Sequence, residues 1–125
     1  MNLGDNCNYT KDHEWVKEES GLSVVGISDF AQSEFGDIVF VDLPEVGDSV
    51  TAGESFGDVE SVKAVADVNS PVTGVVAEVN EELLDAPESI NSDPYGAWFI
   101  KVKDVTDKVE LMDEASYKEF CECEK

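Results

Sequence analysis

Gly57-Asp58-Val59-Glu60-Ser61-Val62-Lys63-Ala64-Val65-Ala66-Asp67-Val68 places one lysine between two runs that read as strands. Val59, Val62, Val65 and Val68 are β-branched and favour pleated, half-buried backbone. The stretch therefore predicts a β-hairpin with Lys63 at its tip, clear of the sheet that carries it. Lys63 is one of 8 basic residues set against 29 acidic ones, and Asp58, Glu60 and Asp67 surround it. Its stem is long and flexible, and at a hairpin tip its amine is within reach of other proteins.

The 125 residues suit one domain, 1–125, with a modest core. A net charge of −21 makes the chain a poor nucleic-acid binder, because phosphate contacts need Lys and Arg. The same charge is repelled by anionic lipid and steers the chain toward basic partner surfaces. A hydrophobic content of 42% argues for a folded core over disorder. There is no transmembrane run and no signal-peptide pattern. The start, Met1-Asn2-Leu3-Gly4-Asp5, is polar and acidic, which argues against a transit peptide. The expectation is a bacterial-type cytoplasmic protein, although a mature organelle protein with an added Met would look alike. Cys7, Cys121 and Cys123 are odd in number, two of them in a polar tail, and read as reduced thiols. The C-x-C pair alone is a weak metal signal, and no metal site is expected.

Working outward, residues Tyr9 to Lys17 read as a leading segment and first strand, and Leu22 to Ile27 as its hairpin partner after the Ser20-Gly21 turn. Ser28 or Asp29 can cap a short helix, with Gln32 completing an approximate capping box and Gly36 ending it. Ile38 to Leu43 is almost continuously apolar and is expected to be a central strand stopped by Pro44. Val46 to Gly53 is rich in turn formers. Gly74 to Val79 is another strand, Asn80 to Asp85 a helical turn, and Asn91 to Gly96 a loop. Ala97 to Lys103 reads as the last strand. Thr106 to Glu122 reads as a helix capped by Thr106, with Val109, Met112, Tyr117 and Phe120 as its packing stripe. Val46-Gly47-Asp48-Ser49-Val50 faintly repeats in Val79-Asn80-Glu81-Glu82-Leu83, each copy following an apolar strand. Two half-motifs flanking the lysine suggest a pseudo-twofold flattened β-barrel with Lys63 on one rim.

Glu60-Ser61-Val62-Lys63-Ala64-Val65 resembles the lipoylation site of the glycine cleavage system H protein family. Further blocks are similar to that family in the family's order. They are Tyr9 to Val16, Gly26 to Gln32, Gly36 to Pro44, Val68 to Gly74, Ile90 to Gly96 and Tyr117 to Phe120. One departure is visible, since Gly96-Ala97-Trp98 is about one residue shorter than the family pattern. The resemblance implies a mainly β fold, a flattened β-barrel/sandwich hybrid of the lipoyl/biotinyl-carrier type with short helices and a C-terminal helix. It also implies a monomeric, non-catalytic carrier with lipoate bound covalently to Lys63.

By the same resemblance, glycine is decarboxylated at glycine decarboxylase and the aminomethyl group passes to the lipoyl arm. An aminomethyltransferase takes the one-carbon unit, and dihydrolipoamide dehydrogenase closes the dithiolane again. A lipoyl-attaching enzyme completes the set of partners. The hard chemistry belongs to cofactors on those partners, and this chain supplies tether, effective concentration and docking surface. Glu14 and Asp67 match carboxylates of the cleft in which the family shelters the loaded arm; the plain alternative is that both are solvated surface acids.

Other roles for these residues are weaker. A Schiff-base lysine needs burial or a cationic neighbour, whereas the neighbours of Lys63 are acids. His13 and Glu14 could pair on a metal, but adjacent strand residues face opposite sides, so His13 reads as structural or exposed. A lipoyl domain of a 2-oxo acid dehydrogenase typically shows Asp-Lys-Ala at the tip and is shorter; biotin carriers show Met-Lys-Met. A lipoyl or octanoyl relay protein of the same family would use the same lysine, and the sequence leaves that alternative open.

Overall fold

The computed structural model describes residues 6–124, with side chains through Glu122; the Met1 to Asp5 start and the thiol of Cys123 lie outside these described residues. In chain order the strands are β1 (Asn8–Tyr9), β2 (Glu14–Glu19), β3 (Leu22–Ile27), β4 (Ile38–Asp42), β5 (Ser49–Val50), β6 (Ser55–Ser61), β7 (Val65–Asn69), β8 (Val72–Val79) and β9 (Ile100–Lys108). The helices are α1 (Asp29–Phe35), α2 (Glu82–Asp85), α3 (Ser89–Ser92) and α4 (Glu114–Glu124). Six strands form one sheet in the order β1-β2-β3-β9-β8-β5, and three form a second in the order β4-β6-β7. Every pairing is antiparallel.

The two sheets share one core. Val41, Val59 and Val68 of the smaller sheet cluster with Val16, Val25, Val76, Ile100 and Val102 of the larger. Among the described residues hydrogen bonding does not close the sheets into a barrel, so the sandwich side of the expected hybrid is the one observed. Alternation along β2 and β3 sends Trp15 and Val24 to the opposite face. There they pack with Cys7, Tyr9, Phe30, Tyr117 and Cys121 in a second cluster. Close approach is required at Gly26, where a Cβ would lie 2.6 Å from the Trp15 indole paired across the hairpin.

Several expectations from the sequence are corrected. The strand at residues 38–42 is not central: β4 is an edge of the smaller sheet, and β6 takes the middle. The register shifts between Ile38 and Phe40. This bulge turns both Val39 and Phe40 outward, 52% and 51% exposed, within a run whose composition suggests burial. The leading strand is broken, because residues 10–13 turn between β1 and β2, with His13 at φ 68°. Thr106 caps no helix. It lies inside β9, which runs on to Lys108 because Lys108 and Asp107 pair with Val72 and Thr73 of β8. Helix α4 starts only at Glu114, so Val109 and Met112 precede it. Asn91 and Ser92 belong to α3 instead of a loop. Of the two repeat copies, the first leads into β5 and the second into α2, although their strands do lie in different sheets. Cys121 is buried, not part of a solvated tail.

Candidate functional site

Strands β6 and β7 form the hairpin, with Glu60 opposite Val65. The turn between them is held by one side chain. Ser61 Oγ accepts from the backbone N–H of Lys63 (3.0 Å) and of Ala64 (3.1 Å). Its own backbone N–H donates to the Ala64 carbonyl at 2.8 Å. Serine suits this position because its short hydroxyl can satisfy amides that a tight turn leaves unpaired. Lys63 is exposed, flanked by Val62 and Val65, which are 69% and 64% exposed.

The tip leans on the end of α1. The Val62 N–H donates to the Asp37 carbonyl at 3.1 Å. Gly36 caps the helix at φ 88°, its N–H donating to the Gln32 carbonyl. A Cβ at Gly36 would lie 2.9 Å from Lys63 Cε, so the missing side chain makes room for the lysine stem. Asn91 of α3 fixes this corner. Its Nδ2 donates to Gln32 Oε1 and to the Gly36 carbonyl, both at 2.9 Å, and its Oδ1 accepts from the Ile38 N–H at 2.8 Å.

The other end of α1 is set from the C-terminal helix. Ser28 Oγ caps α1 by accepting from the Ala31 N–H and lies 2.6 Å from the Tyr117 hydroxyl. The same hydroxyl is 2.8 Å from His13 Nδ1, and the His13 ring stacks on Phe30 at 4.7 Å. His13 is thus part of the packing that seats α1. Burial pushes the Tyr117 hydroxyl well above the usual phenol range. Among the described residues no group of three or more His, Cys, Asp or Glu is placed to hold a metal ion.

Between α1 and the hairpin lies a cleft of about 240 Å³. Ile27, Phe30, Phe35, Val59 and Val68 supply apolar wall, while Glu14 and Asp67 both line it. The structure therefore brings these two sequence-predicted acids to one cavity that shares α1 and β7 with the lysine hairpin. Their environments differ. Asp67 is exposed at the rim, whereas Glu14 is only 3% exposed, so Glu14 is not a solvated surface acid. Burial pushes the Glu14 carboxyl up to about 7, against hydrogen bonds from Thr10 and the Asn69 backbone that hold it down. Sequence reading missed Ser61, Asn91 and Thr10 as parts of the site. It also took Gly36 only as a helix stop.

An exposed amine on a rigid tip, beside an apolar cleft with an acid at its floor, suits a long apolar arm that carries a cationic end. Comparison with known proteins identifies the family. A family profile described as Glycine cleavage H-protein matches residues 7–124. The chain is 56% identical over 121 residues to the glycine cleavage system H protein of Lachnoclostridium phytofermentans, covering 96% of this chain and 95% of that one. It is 53% identical to the Treponema denticola protein of the same name, covering 97% and 99%. The crystal structure of a glycine cleavage system H protein from Mycobacterium marinum superposes with a TM-score of 0.88 at 42% identity, covering 94% of this chain and 97% of that chain.

Proposed function

Since the chain belongs to the glycine cleavage H-protein family, we propose that Lys63 is the residue that carries lipoate. The chain is a lipoyl-carrying shuttle of the glycine cleavage system, working with that system's enzymes. The observation that carries the assignment of Lys63 is its exposure at the hairpin tip, with its stem over Gly36 and next to the cleft. When bound through an amide on Nζ, lipoate supplies the dithiolane that accepts the aminomethyl group from glycine decarboxylase and presents it to the aminomethyltransferase.

The chain's own residues do the rest. Ser61 and the Val62–Asp37 hydrogen bond hold the tip rigid, so that an attaching enzyme meets one geometry. Val62 and Val65 offer that enzyme apolar contact beside the amine. Phe30, Phe35 and Val59 exclude water from the cleft, and Glu14 and Asp67 face a cationic cargo there. The surplus of acids steers docking toward basic partner faces, and residues 1–125 act as one non-catalytic carrier unit with dihydrolipoamide dehydrogenase as its reoxidising partner. Among the described residues no helix is long and apolar enough to cross a membrane; the proposed location is the cytoplasm.

The test is intact-mass measurement before and after treatment with a lipoyl-attaching enzyme, on wild type and Lys63→Arg. Wild type gains one lipoyl group and the variant none. A lipoylated Lys63→Arg protein would falsify the site. Reconstituted glycine cleavage, present with wild type and absent with the variant, separates the shuttle from a lipoyl relay protein. The family match disfavours a 2-oxo acid dehydrogenase lipoyl domain.

A further inference from the structure

Thr10 is buried, at 3% exposure, in the turn before β2, and its hydroxyl is fully committed. Thr10 Oγ1 accepts from the backbone N–H of Asp12 at 3.2 Å and of Glu14 at 3.1 Å. A hydroxyl has two acceptor lone pairs and one hydrogen. With both lone pairs occupied, the single hydrogen goes to Glu14 Oε1, at 2.8 Å. The turn is closed by the backbone as well. The Thr10 N–H donates to the Glu14 carbonyl at 2.9 Å and the His13 N–H to the Thr10 carbonyl at 3.1 Å. The hydroxyl can neither rotate away nor accept a proton from a protonated carboxyl, so this contact favours the ionised form of Glu14.

The charges around Glu14 work mostly the other way. Asp12 adjoins it on the turn, Asp67 faces the cleft from β7 and Glu34 from α1, with His13 on the same wall. Lys11 and Glu110 line a second cleft of about 310 Å³ on which Glu14 also borders. The carboxyl therefore sits in an apolar, mostly acidic surround in which the Thr10 hydroxyl and the Asn69 backbone amide oppose protonation.

We propose that Thr10 is a positioning residue for the cleft: by committing its only hydrogen to Glu14, it sets the pH at which the cleft exchanges a carboxyl proton for a cationic cargo. This rests on the carrier reading above. Seating a protonated amine beside Glu14 sends the carboxyl proton to solvent, with no electrons transferred. Below the exchange pH Glu14 is uncharged, its hold on the amine is lost and the cargo is exposed to water. Its loss then adds one water, breaks the sulfur–carbon and carbon–nitrogen bonds, returns a hydrogen to the thiol and releases formaldehyde and ammonium.

Two readouts test this. In the unlipoylated protein, 13C NMR of the glutamate carboxyls gives the Glu14 midpoint directly. Thr10→Val raises it by about one pH unit, and Thr10→Ser keeps the wild-type value. In the lipoylated, loaded protein, formaldehyde release speeds up as pH falls through the Glu14 midpoint of that form, which lies lower because the seated cation favours the carboxylate. Thr10→Val moves that profile upward by the same amount, so release is about tenfold faster at pH values well above both midpoints and about twofold faster at the wild-type midpoint. Glu14→Gln, which needs no change at Thr10, makes release independent of pH between about 5 and 8. An unmoved NMR midpoint in Thr10→Val overturns the proposal, as does a moved midpoint with an unmoved release profile, or a wild-type profile in Glu14→Gln. A wild-type protein that takes up no cargo overturns the carrier reading instead, and the NMR midpoints then still decide whether Thr10 governs Glu14.

Discussion

Replacing Glu14 by glutamine separates a cost of folding from the rest of an acidic molecule. The side chain is almost fully buried, accepts from Thr10 Oγ1, and has its carboxyl pushed from 4.5 to about 7 by burial. In the unfolded chain the group returns to its ordinary range. Between pH 4.5 and 7 the native state holds a proton that the unfolded state has lost, so stability falls with rising pH across that window and is constant above it. A shift of this size corresponds to about 3 kcal/mol. Glutamine has nearly the same shape, keeps an acceptor for the Thr10 hydroxyl and carries no charge. Urea unfolding of both proteins at about pH 4 and about pH 8, at fixed ionic strength, gives the contrast. The stability of Glu14→Gln relative to wild type should rise by about 3 kcal/mol between those pH values. Carboxylates that do not interact with Glu14 contribute equally to both proteins and cancel, while the repulsion from Asp12 is part of the shift being measured. A difference that stays flat with pH, or one that shrinks as pH rises, would refute the assignment of a buried, proton-holding acid.

Ser61→Ala removes the acceptor of the Lys63 and Ala64 amides. Amide exchange at those two residues should quicken by at least tenfold and lipoyl attachment should slow, while the unfolding free energy drops by no more than about 1.5 kcal/mol. Tyr117→Phe takes away the hydroxyl shared by Ser28 and His13. Unfolding should show a loss of about 1–3 kcal/mol, and α1 should lose exchange protection ahead of the β6–β7 hairpin.

Legibility in the sequence followed how local each cause was. The lysine hairpin could be read because its β-branched strands, its turn and its exposed tip all depend on neighbours within a few residues. The cap of α1 by Ser28 and its end at Gly36 were readable for the same reason. The edge position of β4 was not, because a bulge reverses the facing of Val39 and Phe40 and leaves apolar composition unchanged. The extension of β9 through Lys108 was hidden too. Its residues from Lys103 onward are mostly polar and exposed, and their strand geometry comes from pairing with β8. The cleft was the least visible part. Glu14 stands in a polar segment, and residues distant in sequence, on α1 and β7 among others, line the space around it. The resemblance could nominate Glu14 and Asp67 together, but it could not distinguish the acid at the floor from the one at the rim.

The lock between Tyr117 and the start of α1 has a consequence for the newborn chain. The ribosome releases residues in order, so the β6–β7 hairpin with Lys63 emerges well before Tyr117 does. During that interval the attachment amine is complete, while the wall that Phe30 contributes has nothing from the far end of the polypeptide to anchor it. An attaching enzyme acting on nascent protein would add the arm before its shelter existed. Modification after release is the order in which arm and shelter are available together.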